Sequence, residues 1–337
     1  MKLPNFDYVK FDSLSKSCEV LEAHGPKAVP VAGGTDLMIA LKNRLKTPEV
    51  IVDLGGVPGL DQITDAGSEG LKIGPMVTLR HLASHPLIIE KIPVLARAAL
   101  DVGSIQLQTM GTIGGNLCQD NCCLYYNRPP MLRQTAGPCY KLGGDACHAV
   151  RGSKNCWATY CGDIAPVLLA LHARVKIAGP RAETVMAAGQ LFSGDGTKPQ
   201  TLTAGRLIAE IQVPAQPAYS GSAYLKMRVR KAIDYPLLGV AVHLALKNDA
   251  QTIDHISLAM TAVDKAPVLV EAAGELAGQK LSDERLEHLA EAAYKKAAPI
   301  NNVSGYTPGY RKNMARVYVR SAVRQALATA TGKGGNN

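Results

Sequence analysis

Apolar residues recur at helical spacing at Leu14, Cys18 and Leu21, and Gly25 is placed to end that helix. AVPVAGGTDLM (28–38) then reads as a short apolar strand, a Gly-Gly turn and a helix start, and EVIVDL (49–54) as a second strand. LKIGPMVTLRHLASHP (71–86) has the pattern strand, turn, helix, and IPVLARAALDVG (92–103) that of a helix closed by Gly103. TMGTIGGNL (109–117) is glycine-rich and turn-like. Steady periodicity stops there and returns at GDIAPVLLALHARVKIAG (162–179), read as a short helix and a strand. Gly, Pro and Ser crowd residues 195–220, which marks a boundary. Beyond it, VAVHLAL (240–246) and IDHISLAMTAV (253–263) read as strands, and helices are predicted over 266–277, 282–298 and 309–329. The last third therefore predicts a sheet packed on helices, an α+β arrangement.

The chain has 337 residues, enough for two or three domains. Formal net charge is +9, from 37 basic and 28 acidic residues. The balance favours acidic partners, but the charges are scattered and form no block of the kind that binds nucleic acid. MKLPNFDYVKFDS has no apolar core of a secretory signal, and no apolar run reaches the length of a membrane span. A cytoplasmic protein is expected. Arg316, Arg320 and Arg324 repeat every four residues in the last predicted helix, as a solvated face or as a docking edge for an acidic subunit.

Two glycine turns carry candidate chemistry. In AGGTDL (32–37) the glycines lie between a strand and a helix, where backbone N–H groups approach an anion without a Cβ in the way. The helix dipole and the Thr35 hydroxyl add to this. GTIGGN (111–116) offers a second nest. Neither turn has the spacing of a Rossmann or Walker motif. Together they could clamp a pyrophosphate; alone each is only a tight turn.

VPVAGGTDLM, TMGTIGGNL and GDIAPVLLAL, in that order, resemble the FAD-binding subunits of the xanthine dehydrogenase/carbon monoxide dehydrogenase family of molybdenum enzymes. TAVDKAPVLVEAAGELAGQKL and YRKNMARVYVRSAVRQAL resemble that family's C-terminal flavoprotein domain. The resemblance implies an α+β fold: a vanillyl-alcohol-oxidase (PCMH)-type FAD-binding domain of two subdomains, then a C-terminal domain of the carbon monoxide dehydrogenase flavoprotein type. It places the first subdomain at 1–58, the second at 59–215 and the C-terminal domain at 216–330. By the same resemblance, Val31, Ala32, Gly33, Gly34, Thr35, Asp36 and Leu37 wrap the FAD pyrophosphate with Gly111, Thr112, Ile113, Gly114, Gly115 and Asn116. Thr78 and Asp163 fall near the adenosine half, and Lys226 near the flavin; the plain alternative for Lys226 is a solvated strand-edge lysine. Leu107 and Gln108 stand where the family often has Arg-Asn.

Eight cysteines are present, seven of them between Cys118 and Cys161. In a reducing compartment such clustering points to a metal or cluster rather than to disulfides. Asn116 and Asp163 stand 47 positions apart, against about ten in the family pattern, so a long loop has been inserted, and loops of that size usually carry function or are structureless. Cys123, Cys139, Cys147 and Cys156 are spaced C-x15-C-x7-C-x8-C within it. Zinc favours closer pairs; the four form none among themselves, but Cys118 and Cys122 offer one, so zinc, an iron–sulfur cluster and free or redox thiols all stay open.

CLYYN…CYKLGGDACHAV…CWATYCGD resembles the insertion in the β subunits of 4-hydroxybenzoyl-CoA reductases. That resemblance implies a 4Fe-4S cluster at 118–161, held by Cys123, Cys139, Cys147 and Cys156. Cys18, Cys118 and Cys161 are then packing thiols, Cys122 a competitor of its neighbour, and His148 a possible substitute ligand. Trp157 and Tyr140 would shield the cluster or simply pack. It further implies partner subunits carrying a molybdenum cofactor and 2Fe-2S clusters, in a dimer of heterotrimers. Electrons would enter from a low-potential donor such as ferredoxin and reach molybdenum for reductive dehydroxylation of 4-hydroxybenzoyl-CoA. Two other readings are a molybdenum hydroxylase subunit running oxidatively and a zinc-stapled assembly module.

Overall fold

A computed structural model of the chain describes residues 2–231, 233–301 and 306–332. The first unit runs β1 (Asp7–Lys10), α1 (Leu14–His24), β2 (Ala28–Val31), α2 (Leu37–Lys42) and β3 (Val50–Asp53). Its three strands are parallel, in the order β1-β3-β2. Ser13 caps α1 by accepting the Lys16 N–H, and Gly25 closes it at φ +53°. β1 escapes the sequence pattern because it is an edge strand with exposed side chains and no alternation to read.

The second unit holds β4 (Ile63–Asp65), β5 (Leu71–Ile73), α3 (Leu79–Ser84), α4 (Pro86–Lys91), α5 (Pro93–Asp101), α6 (Ile105–Met110), α7 (Ile113–Leu117), α8 (Pro130–Ala136), α9 (Ile164–Ala170), β6 (Arg174–Ala178), β7 (Glu183–Ala187) and β8 (Leu207–Val213). Its sheet is antiparallel, in the order β4-β5-β8-β6-β7. The stretch read as a boundary thus contains β8, which pairs with both β5 and β6. All seven residues of α9 are buried, as expected of a helix that is apolar all round.

The third unit comprises β9 (Ser220–Met227), β10 (Leu238–Leu246), β11 (Ile253–Thr261), β12 (Val268–Leu269), α10 (Asp283–Lys296) and α11 (Pro308–Ala330). The antiparallel order is β12-β11-β10-β9. The helix predicted over 266–277 is instead β12 followed by a 3-10 turn, Glu271–Leu276. Pro267 disfavours helix in the residue before it, and the Val268–Val270 N–H and C=O groups find strand partners instead. β10 is buried at all nine positions because helices cover both faces of its sheet.

Three apolar cores result, and two of them cross unit boundaries. The first unit's core of Cys18, Leu21, Val50 and Val52 takes in Ala178 and Leu207 of the second unit. The second unit's core takes in Tyr224, Ala241 and Ala259 of the third. The arginine stripe of α11 lies along α10 and stays partly exposed. Arg316, Arg320 and Arg324 pair with Glu291, Glu287 and Asp283 of α10 at 2.7, 2.7 and 3.2 Å.

Candidate functional site

The first glycine turn joins β2 to α2. Among the described residues nothing accepts the N–H groups of Gly33, Gly34, Thr35 or Asp36, which leaves four consecutive backbone donors free, as an anion nest requires. Gly34 takes φ +70°, a conformation that glycine adopts without penalty. Gly33 has no room for a side chain: a Cβ would lie 1.8 Å from the Met110 carbonyl oxygen. The first turn therefore sits directly on the entry to the second. Thr35 Oγ1 lies 3.6 Å from where a Gly111 Cβ would be.

The second turn is built differently. Its N–H groups at Gly111, Ile113, Gly114, Gly115 and Asn116 already donate, to Leu107 O, Val77 O, Pro75 O, Thr112 Oγ1 and Thr112 O. Thr78 caps α3 through the His81 N–H and forms a bridge with Thr112. Among the described residues only the Thr112 N–H of this turn has no acceptor, so the turn offers mainly a fixed wall. Gln108, in place of the family's Asn, is buried and donates to Leu100 O and Val102 O, which ties α6 to the end of α5.

Asp163 and Lys226 meet. Lys226 Nζ lies 3.0 Å from Asp163 Oδ2 and also donates to Asp101 O at 2.7 Å; its side chain is 1% exposed. The solvated-lysine reading is thereby corrected: β9 is an edge strand, but this face of it is covered by the second unit. The Tyr224 hydroxyl donates to Asp163 Oδ1 at 2.6 Å. Burial pushes the Asp163 carboxyl up, and Lys226 and the Tyr224 hydroxyl pull it back. One ion pair thus joins two residues that the resemblance assigned to opposite halves of the cofactor.

The insertion is not a structureless loop. Its base is closed by an antiparallel bridge between Cys122 and Thr159 and by Asn121, whose Nδ2 donates to Ala158 O and Lys265 O. α8 lies within it, and Arg133 docks on the end of α2 by donating to Asn43 O at 2.7 Å. Cys123, Cys139, Cys147 and Cys156 line one small cavity, with Tyr125, Tyr126, Tyr140, Lys141 and His148 in its wall. Cys123 sulfur accepts the N–H groups of Tyr125 and Tyr126, and Cys156 sulfur that of Ala158 at 3.4 Å. Among the described residues, no three His, Cys, Asp or Glu side chains converge on a point that one metal ion could occupy.

Cys18, Cys118, Cys122 and Cys161 do not line that cavity. Burial pushes the Cys118 thiol up to about 12 and the Cys18 thiol up to about 11. The hydrogen bond to Cys161, and then burial, hold Cys122 well above the usual thiol range. His148 lines the cavity, but its Nε2 is engaged with Gly137 O at 3.1 Å. Tyr140 is in the wall; Trp157 is not, and donates to Ser153 Oγ.

Two features at the cavity had no reading in the sequence: Lys141 in its wall and Gly196 behind Cys156. Lys141 Nζ lies 2.7 Å from both Asp120 Oδ1 and Gly196 O. Gly196 has no Cβ because one would sit 2.8 Å from Cys156 sulfur. Lys141 stands two residues after Cys139, and Gly196 lies in the Gly-, Pro- and Ser-rich stretch that reads as a boundary.

Comparison with known proteins is consistent along the whole chain. Residues 4–216 match the FAD binding domain in molybdopterin dehydrogenase, and residues 222–326 the CO dehydrogenase flavoprotein C-terminal domain. The nicotine 6-hydroxylase medium subunit of Paenarthrobacter nicotinovorans is 28% identical over 329 residues, covering 97% of this chain and 99% of its own. The aldehyde oxidoreductase FAD-binding subunit of Escherichia coli is 35% identical over 227 residues, covering 64% and 70%. Carbon monoxide dehydrogenase from Hydrogenophaga pseudoflava superposes with a TM-score of 0.81 at 26% identity, over 97% of this chain and 99% of its own. With one family spanning more than half of its length and the second following it, the chain belongs to the FAD-binding oxidoreductase subunits of the molybdopterin dehydrogenase family.

Proposed function

We propose that the chain is the electron-transfer subunit of a 4-hydroxybenzoyl-CoA reductase-type molybdenum enzyme, holding FAD and a 4Fe-4S cluster. The observation that carries this reading is the cavity in the insertion, lined by the four cysteines that the reductase resemblance names. A cubane takes one thiolate per iron, so its ligands surround a cavity instead of meeting at one ion. Backbone N–H groups on Cys123 and Cys156 sulfur are the kind of hydrogen bond that sets such a cluster's potential. The cavity, with no three His, Cys, Asp or Glu side chains converging on one point among the described residues, favours the cluster over a zinc staple.

The residues also fit FAD. The free donors of Gly33 to Asp36 suit a diphosphate, and the wall of Gly111 to Asn116 limits where it can lie. Val31, Ala32 and Leu37 complete the first turn. Asp163, fixed by Lys226 and Tyr224, holds the start of α9 behind the second turn, where Asn116 Oδ1 accepts the Ile164 N–H. When bound, FAD and the cluster supply one-electron relay; the protein's part is to position them and tune their potentials.

In this reading the subdomains are 1–58 and 59–215 and the C-terminal domain 216–330. The partners are molybdenum-cofactor and 2Fe-2S subunits in a dimer of heterotrimers, the donor is a ferredoxin, and the location is cytoplasmic. The oxidative alternative is favoured by the names of relatives such as nicotine 6-hydroxylase and carbon monoxide dehydrogenase. The two separate on one assay. The purified complex, given 4-hydroxybenzoyl-CoA and a reduced low-potential donor, forms benzoyl-CoA in the reductive reading. No turnover in that direction, with oxidation of an alternative substrate instead, contradicts it.

A further inference from the structure

We infer that the buried ammonium of Lys141 raises the reduction potential of the cysteine-lined site and, through Asp120, ties that site to the first glycine turn. The inference rests on the reading that the four cysteines hold a 4Fe-4S cluster.

Lys141 is in the cavity wall, and its side chain is 4% exposed. One carboxylate pairs with it, Asp120, at 2.7 Å. Its other contacts are the Gly196 carbonyl at 2.7 Å and the Tyr126 ring, whose centroid is 5.0 Å away. Asp120 is itself shared. Its Oδ2 accepts from the Tyr126 hydroxyl at 3.2 Å, and its N–H donates to Asp36 Oδ2 at 3.3 Å. Asp36 belongs to the first glycine turn. A continuous path of polar contacts therefore runs from the cavity wall through Lys141 and Asp120 to the FAD-side loop.

The electrostatic consequence follows from charge. A cubane on four thiolates is anionic, and reduction adds one electron and no atom. A fixed positive charge in a poorly hydrated wall stabilises the more negative form, because little water is present to screen it. The potential is raised as a result, since net charge and surroundings set it. Asp120 works in the opposite sense: it partly offsets the ammonium, which the Gly196 carbonyl and the Tyr126 ring also hold in place.

The test uses the whole complex in four forms: wild type, Lys141→Met, Lys141→Arg and Asp120→Asn. Iron and FAD per chain are measured first, then the cluster's midpoint potential by redox titration followed by electron paramagnetic resonance. We expect Lys141→Met to keep its iron and FAD while its reduction equilibrium moves at least tenfold toward the oxidised form, about 59 mV for one electron. Lys141→Arg keeps the charge and stays near wild type. If Lys141→Met does not load its cluster, Asp120→Asn carries the test, and its potential moves upward. A loaded Lys141→Met at the wild-type potential, or an Asp120→Asn potential that stays or falls, overturns the inference. Wild type without iron overturns the four-thiol reading beneath it, a result distinguishable from either.

Discussion

Gly33 and Gly34 stand side by side for different reasons. At Gly33 the obstacle is space, since a Cβ would overlap the Met110 carbonyl; at Gly34 it is conformation, since the nearest atoms to a Cβ lie at 3.6 and 3.8 Å. Gly33→Ala must push the two turns apart. We expect its FAD affinity to fall at least tenfold, about 1.4 kcal/mol. Gly34→Ala bears a left-handed conformation and should lose about 1 kcal/mol of stability, with a weaker FAD affinity because its Cβ crowds the free donors. Fluorescence titration with FAD and urea unfolding read the two effects; Gly33→Ala with full affinity would contradict the geometry. Asp163 and Lys226 make a second test at this scale. Removing one partner of a buried pair strands the other, so Lys226→Met should cost about 3–5 kcal/mol in urea unfolding, and adding Asp163→Asn should recover much of it. An unchanged stability in Lys226→Met would mean the pair is not buried in solution. Sequence supplied both residue types but not their pairing, because the partners come from separate units.

At the scale of elements, helices and strands with strong periodicity were legible, among them α1, β10, β11, α10 and α11. Those missed had a reason. β1 is a short edge strand with three of its four side chains exposed, and β12 lies in an alanine-rich stretch whose composition mimics helix. The arginine stripe on α11 was visible, but its acidic complement on α10 becomes visible only once the helices pack antiparallel. β10 carries one polar side chain into the covered interior, His243, beside Ser222 of β9 at 2.8 Å. Burial, then His255 and His172, hold its imidazole down at about 4 against 6.5 for a free histidine. The unfolded chain therefore binds a proton more readily than the folded one between those values. Stability is intact above pH 6.5, falls as pH drops toward 4, and levels off below it. The contribution is up to about 3 kcal/mol. His243→Gln should flatten that part of the urea-unfolding profile. An unaltered acid slope in the variant would assign the loss to other groups.

At the scale of the whole molecule, the three units meet where the chemistry is. The first unit brings the free donors, the second brings the wall and the insertion, and the third closes over Asp163 with β9. The order of motifs made the FAD-binding family legible before any coordinate. The insertion was legible as a group of thiols, and the resemblance singled out four of them. What no pattern could supply was how the Lys141 ammonium is held: Lys141, Asp120 and Gly196 come from three segments that meet only in the fold. The central claim is that the insertion holds one cubane on those four thiols and that the flavin site is separate from it. The most direct measurement is iron and FAD per chain in wild type, Cys139→Ser and Cys161→Ser. The account predicts that Cys139→Ser loses about four iron atoms per chain, the content of one cubane, and keeps FAD. Cys161→Ser, outside the cavity, should keep both. Full iron in Cys139→Ser, or zinc in place of iron in the wild type, would contradict it.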